Sequence, residues 1–253
     1  MKTFLKQWWQ ILVAGSVLTS VTGISLFAFA SDPLKANIAL GAFLLFVVFL
    51  GWRAQLTFNQ VLGKTYLNGY ETLSTFVRYS TSDGKSIQYE TFRHIQNKLL
   101  VRDHIEHKFR WTGSKAPKIT SCLQTIGDTQ PVEGTASSRV KVNFKKPILF
   151  NEVEVVHLLM ELDDSDSVSE PHVGLLVHEP TKTITFKVEL LHSKDKYDGT
   201  YAKILRNDLD KNKGNPAVEI TTVKFDSVSK SFEYILPHPA PGYRYTLEWD
   251  RKE

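Results

Sequence analysis

Between Arg78 and Lys146 the chain carries 13 Lys or Arg against 6 Asp or Glu, a net charge of +7. Arg93, Arg102, Lys108, Arg110, Lys145 and Lys146 stand out in that stretch because Tyr89, Phe92, Trp111 and Phe150 lie close to them in sequence. Cationic side chains attract phosphate, and an aromatic face stacks on a base. These six residues, with Trp111, are therefore the candidate contacts for a nucleotide or oligonucleotide. The next stretch, 151–181, holds 8 acidic residues and no Lys or Arg. The basic half can thus also pair with the acidic half of a second copy, or rest on anionic lipid. The plain alternative is a solvated strand face.

Other chemistry is sparse. The sequence has no glycine-rich phosphate loop, H-E-x-x-H, G-x-S-x-G or paired-cysteine zinc motif. His104 and His107 are the closest histidine pair, and on a strand they point to opposite faces. Asp208-x-Asp210-x-Asn212, with Glu219 at the twelfth place, imitates a calcium loop. It has Lys213 where the glycine belongs, and reads as a polar turn. Asp163, Asp164 and Asp166 form an acidic loop, which either holds a cation or is simply solvated. The single cysteine, Cys122, excludes an internal disulfide and suits a reducing compartment. The expectation is a protein that is not an enzyme, with no catalytic residue, metal site or cofactor.

The elements that must carry the basic residues read as strands. From Ile87 to Trp111 apolar residues fall mainly on odd positions, and Glu90, His94, Lys98, Arg102, Lys108 and Arg110 fall on even ones. Such alternation marks half-buried antiparallel strands turning near Gln96-Asn97-Lys98. Ser82-Asp83-Gly84 reads as a hairpin turn. Further strands are expected at Ile119–Gln124, Arg139–Phe144, Val153–Leu162, Val173–His178, Thr183–His192, Val218–Phe225, Ser231–Leu236 and Tyr243–Trp249, and a short helix at Tyr201–Leu209. The fold class is an all-β antiparallel sandwich or barrel over residues 73–253.

Before it stands an apolar region, 1–54. Trp8 to Ala30 is free of charge, and Leu34 to Trp52 is broken only by Lys35 and Asn37. Each run can span a hydrocarbon core of about 30 Å, and Ser31-Asp32-Pro33 separates them, so a transmembrane helical hairpin is expected. Lys2, Lys6, Arg53 and Lys64 place both ends in the cytoplasm. Ala28-Phe29-Ala30 before Ser31 also fits a signal-peptide cleavage site. Even then the second run stops transfer and keeps the large domain cytoplasmic. Gly15, Ser16, Thr19, Ser20, Thr22 and Gly23 gather on one half of the first helical wheel. That face is expected to pack between helices, or to line a pore in a homo-oligomer. Residues 55–72 connect membrane to domain.

This layout resembles the membrane effectors of bacterial anti-phage systems that signal with nucleotides. Among these are the two-helix β-barrel effectors of cyclic-oligonucleotide signalling and the channel effectors of Hailong-type defence. The resemblance is one of architecture over the whole chain and brings no site residue with it. It implies an inner-membrane effector, a pore or channel, gated by a ligand on its cytoplasmic domain. The second reading is a non-enzymatic, membrane-tethered scaffold that binds a protein partner.

Overall fold

The computed structural model describes residue 23 and residues 32–132, 137–193, 195–208 and 217–252. The chain divides into two units at Thr65/Tyr66.

In the first unit helix α1 runs from Pro33 to Thr65. Asp32 caps it: Oδ1 accepts from the Leu34 and Lys35 amides at 3.2 and 3.3 Å, and Pro33 takes the first helical position, where no amide is needed. Thirty-three residues extend about 50 Å, more than a hydrocarbon core requires. Its apolar stretch is unburied, with Leu34, Leu45 and Val48 about 70 % exposed. Among the described residues this is the one helix long and apolar enough to cross a bilayer. A hairpin is therefore not what the described residues contain. Gly23 is helical, and the remainder of the first expected span, with Gly15, Ser16, Thr19, Ser20 and Thr22, lies outside the described residues. So do the cleavage-site residues and most of the calcium-like loop. α1 also absorbs the first half of the expected connector.

The second unit is mostly β. A six-stranded sheet has the order β12-β9-β1-β2-β7-β4. Its strands are β1 (Tyr70–Thr81), β2 (Ser86–Asn97), β4 (Lys118–Thr120), β7 (Val153–Asp163), β9 (Thr181–Leu190) and β12 (Ser231–Pro237). A four-stranded sheet, β11-β10-β13-β8, uses β8 (His172–Val177), β10 (Tyr201–Asp208), β11 (Val218–Lys224) and β13 (Tyr243–Glu248). A three-stranded sheet, β3-β6-β5, uses β3 (Val101–Phe109), β5 (Thr125–Pro131) and β6 (Ser138–Leu149). All pairings are antiparallel except β1 with β9. The single expected sandwich or barrel is thus three sheets with one parallel pair. The expected helix at Tyr201–Leu209 is instead β10, which pairs on both sides and buries Ala202 and Ile204 on alternate positions.

One face of the large sheet carries both cores. Val77, Ile87, Leu162 and Phe186 pack toward the four-stranded sheet, meeting Val173, Ile204 and Leu247. Ile95, Val156 and Leu158 pack toward the three-stranded sheet, meeting Ile105, Val140 and Val142. A bulge between Thr72 and Ser74 changes the parity of β1, so Tyr70 and Val77 both face inward. β3 and β8 are edge strands of the two smaller sheets.

Candidate functional site

Where the two smaller sheets share the face of the large one, a cavity of about 380 Å³ remains, within the range of small-molecule sites. Its floor is Thr75 and Tyr79 of β1, Tyr89 and Arg93 of β2, and Met160 of β7. Edge strands β3 and β8 supply its walls.

Five cations line it: Arg93, Lys108, Arg110, Arg139 and Arg244. Alternation on β2 turns Arg93 inward beside Thr75, and its Nη1 donates to Tyr70 Oη at 3.3 Å. Lys108, Arg110 and Trp111 come from the end of β3 and the residues after it. Arg244 arrives on β13, next to β8. Its guanidinium is held below its usual range, first by burial and then by Arg110. An anion between these two would relieve both effects. Arg139 has a partner at the rim, donating to Glu106 Oε2 at 3.1 Å.

The histidines do not add to this charge. Burial pushes His107 down to about 3, with Arg93 adding to the effect, and burial also lowers His172 and His178. The Tyr89 hydroxyl is pushed up to about 12 by burial, and donates to Gly174 O at 3.5 Å. The cavity's positive charge therefore rests on Arg and Lys and does not change across neutral pH.

Three carboxylates also line the cavity: Glu106, which holds Arg139, Glu170, whose charge acts on Arg244, and Glu179. Glu179 is 3 % exposed, and its Oε1 accepts from the Asn68 amide at 2.7 Å. Burial raises its carboxyl, against the opposing influence of Asn68, Arg102 and Arg93. Asn68 is also gripped from below, since Arg102 Nη2 donates to its carbonyl.

Of the seven residues singled out in the sequence, Arg93, Lys108, Arg110 and Trp111 meet in the cavity. Arg102 does not line it. It donates to Asn97 Oδ1 and His104 O at 3.3 and 3.2 Å and lies over the Tyr70 ring. Lys145 and Lys146 are exposed on β6, away from the cavity, where the β3–β6 register shifts. Arg244 and Glu179 were not singled out, because only strand pairing brings them to the basic stretch; Arg139 lies within that stretch, and the β3–β6 pairing sets it beside Lys108. The acidic loop binds its own protein: Asp163 pairs with Lys115 at 2.6 Å, Asp164 with Arg251 at 2.7 Å, and Asp166 accepts from Ser114. Among the described residues no group of three or more His, Cys, Asp or Glu could hold a metal ion.

A second constellation lies outside the cavity. His157 of β7 is buried, and its Nδ1 lies 3.3 Å from Cys122 Sγ and 3.1 Å from the Cys122 amide. Its Nε2 is 3.0 Å from Glu90 Oε1, and Phe92 stacks against the ring. With Nε2–H donating to Glu90, the single Nδ1 lone pair accepts from the Cys122 amide, so the thiol beside it shares an acceptor that the backbone already uses. The Leu123 and Gln124 amides both donate to Ser121 Oγ, so neither is left to stabilise an oxyanion.

No family model matches the chain, and no curated protein matches it. Solved structures do show a likeness. An M1 zinc metallopeptidase from Deinococcus radiodurans aligns at 8% identity and TM-score 0.37, over 73% of this chain and 43% of its own. Yeast LTA4 hydrolase aligns at 9% identity and TM-score 0.42, over 72% of this chain and 29% of its own. A Legionella pneumophila protein described as nutrient-binding aligns at 10% identity and TM-score 0.38, over 72% and 67%. The chain spans less than half the length of the two enzymes. The expectation that the chain is not an enzyme is withdrawn: absent motifs exclude no activity, and the structures it aligns with include enzymes. At these scores they carry no activity, substrate or residue over to it.

Proposed function

We propose that the chain is a membrane-anchored receptor whose β-domain takes a small anionic ligand of the nucleotide class into the cationic cavity. The observation that carries this reading is the place of Asn68. It lines the cavity, is bonded to Glu179 within it, and lies three residues after the end of α1. Occupancy that moves Glu179 therefore reaches the segment leading into the membrane helix. Five cations supply attraction for the anion, and Tyr79, Tyr89 and Trp111 supply faces for a base.

In this proposal the first span pairs with α1 as a hairpin, both ends are cytoplasmic, and several copies assemble in the inner membrane. The small-residue face from Gly15 to Gly23 turns toward helix contacts or water. Ligand binding shifts that assembly and permeabilises the bilayer, which would serve anti-phage defence. The architectural resemblance and the basic residues flanking the spans support it.

The test is ion flux from liposomes carrying the full chain, with and without purine and pyrimidine nucleotides. A nucleotide should change the flux of the wild type and leave an Arg110→Glu, Arg244→Glu double variant unaffected. Flux that no nucleotide alters, in protein that binds none of them, would remove the receptor reading.

A further inference from the structure

Lys145 and Lys146, which the cavity does not use, stand beside a second surface. The β3–β6 ladder pairs Arg102 with Ile148 and then His104 with Asn143, so Phe144 to Pro147 lie opposite Asp103 alone. Lys145 and Lys146 are exposed in this bulge, and neither makes an ion pair among the described residues. Three residues on, β6 ends at Leu149, which pairs with Val101, and the Phe150 amide donates to Leu100 O at 3.1 Å. On the other flank Leu99 covers Gly69, where a β-carbon would lie 2.7 Å from Leu99 Cγ, and the Lys98 amide donates to Gly69 O at 2.9 Å. Three segments therefore meet at one end of the β-domain: residues 66–69, which follow α1, the turn into β3, and the turn out of β6.

That end is apolar where turns are normally polar. Leu99, Leu100 and Val101 are consecutive and exposed, the last two by more than half, and Leu149 and Leu67 are exposed beside them. Single exposed apolar residues are ordinary, whereas a contiguous group marks a docking surface. The opposite end of the large sheet lies about 35 Å away along the 12 residues of β1, and its Ser82-Asp83-Gly84 turn is polar. At the apolar end the carboxylates are held by the protein. Glu71 lies 3.6 Å from Lys98 and 3.8 Å from Lys182, Asp103 pairs with His104, and Glu152 accepts from the Leu149 amide at 2.6 Å. The exposed lysines of the bulge are left to attract an anionic surface.

The chain itself brings such a surface near. Leu67 lies two residues beyond Thr65, the last residue of α1. With α1 across a bilayer, Arg53 to Thr65 extend about 18 Å past the hydrocarbon. Headgroups take up about 5–8 Å of this, and a tilt within the common range shortens the rest. Leu67 and its neighbours come within reach of the lipid.

We propose that Leu99, Leu100, Val101 and Leu149 enter the headgroup layer of an anionic bilayer while Lys145 and Lys146 meet lipid phosphates. Apolar burial and lysine attraction add to each other at such a surface. This rests on α1 being a membrane anchor and is independent of what fills the cavity.

Fluorescence quenching on the full chain in liposomes tests it. Cys122→Ser removes the native thiol, and a dye is attached at Leu100→Cys or, as control, at Val228→Cys. Val228 is 94 % exposed and lies three residues before Ser231, whose ladder partner Glu189 pairs with Ser80 at the far end of the sheet. Phosphatidylcholine brominated on its acyl chains, with about one-third phosphatidylglycerol, should quench the dye at residue 100 and spare the one at 228. Lys145→Glu with Lys146→Glu should weaken docking at least about tenfold on these vesicles and leave the weaker quenching by phosphatidylcholine alone as it was. Equal quenching at the two positions, in chain that floats with the liposomes, overturns the proposal. So does a dye at residue 100 that is shielded from aqueous iodide but not quenched by lipid, which would assign the face to a second copy or another protein. A chain that alkaline carbonate strips from the liposomes removes the reading of α1 as an anchor, and the proposal with it.

Discussion

The Trp111 indole fills the space where a side chain on residue 113 would stand: a β-carbon built on Gly113 would lie 2.3 Å from Trp111 Cζ2. The ring is held at its other end as well, since Nε1 donates to Lys115 O at 2.9 Å. Gly113→Ala must therefore shift the indole or strain the loop, at a cost of about 1–3 kcal/mol. The expected outcome is about fivefold weaker binding of a purine nucleotide and an unfolding temperature lowered by about 2–8 °C. Unchanged affinity would mean that Trp111 does not touch the ligand.

Arg251, near the C-terminus, closes a buried cluster. Asp164 has its side chain 1 % exposed and accepts from Arg251 Nη2 at 2.7 Å, and from the Ser169 amide and hydroxyl at 2.8 and 2.7 Å. Arg251→Met leaves that carboxylate without its cation. A loss of about 2–3 kcal/mol is expected, below the ~3–5 kcal/mol of a fully buried pair because Arg251 is one-third exposed. Urea unfolding of the full chain in detergent measures it, and a loss under about 0.5 kcal/mol would assign the cluster no stabilising role.

Acid should destabilise the domain partly through His107. Burial depresses its folded value to about 3, whereas an unfolded histidine titrates near 6.5. Below about 6.5 the unfolded chain takes up a proton that the folded one refuses, so stability falls as pH drops from there toward 3. Replacing His107 with Asn removes this contribution. The slope of stability against pH between about 6 and 5, above the carboxylate range, should flatten. An unaltered slope would place the acid sensitivity elsewhere.

Cys122 is exposed, so an aromatic disulfide reagent should modify the folded protein at this one residue. With His157 Nδ1 at 3.3 Å but shared with the Cys122 amide, the reaction should be only about threefold faster than in His157→Gln. Glu90→Gln, which leaves the imidazole in place but alters its partner, should be intermediate. Equal rates in all three proteins would make the contact one of packing.

Local chemistry was legible where it acts alone. The Ser82-Asp83-Gly84 turn forms as read: Asp83 Oδ1 accepts from the Lys85 and Ser86 amides at 2.8 and 2.7 Å, and Gly84 supplies a φ of +76°. Those amides hold the Asp83 carboxyl down to about 2. Long-range pairing was not legible. The run from Ile87 to Trp111 keeps its apolar residues mainly on odd positions, with Phe92 and Leu100 as the exceptions, yet β2 stays in the large sheet and β3 leaves for another. The change occurs at Asn97, a fully buried side chain whose amide reaches the Ile148 and Leu149 carbonyls of β6. At 201–208 Ala, Leu, Lys and Arg favour a helix, and pairing with β11 and β13 overrides that preference. The candidate site follows the same division. Arg93, Lys108, Arg110 and Trp111 are close in sequence and were found by charge. Glu179 and Arg244 depend on β8 and β13 meeting, and Cys122 and His157 lie 35 residues apart.

The strand that follows α1 is not at the margin of its sheet. Tyr66 to Gly69 separate α1 from β1, and β1 is bonded to β9 on one side and β2 on the other. Tension drawn along the chain from α1 therefore enters the domain through an interior strand. Peeling such a strand away one bond at a time is blocked by neighbours on both flanks, so many bonds must shear together. Under a pull that would unzip an edge strand, this domain should keep its shape and transmit the load.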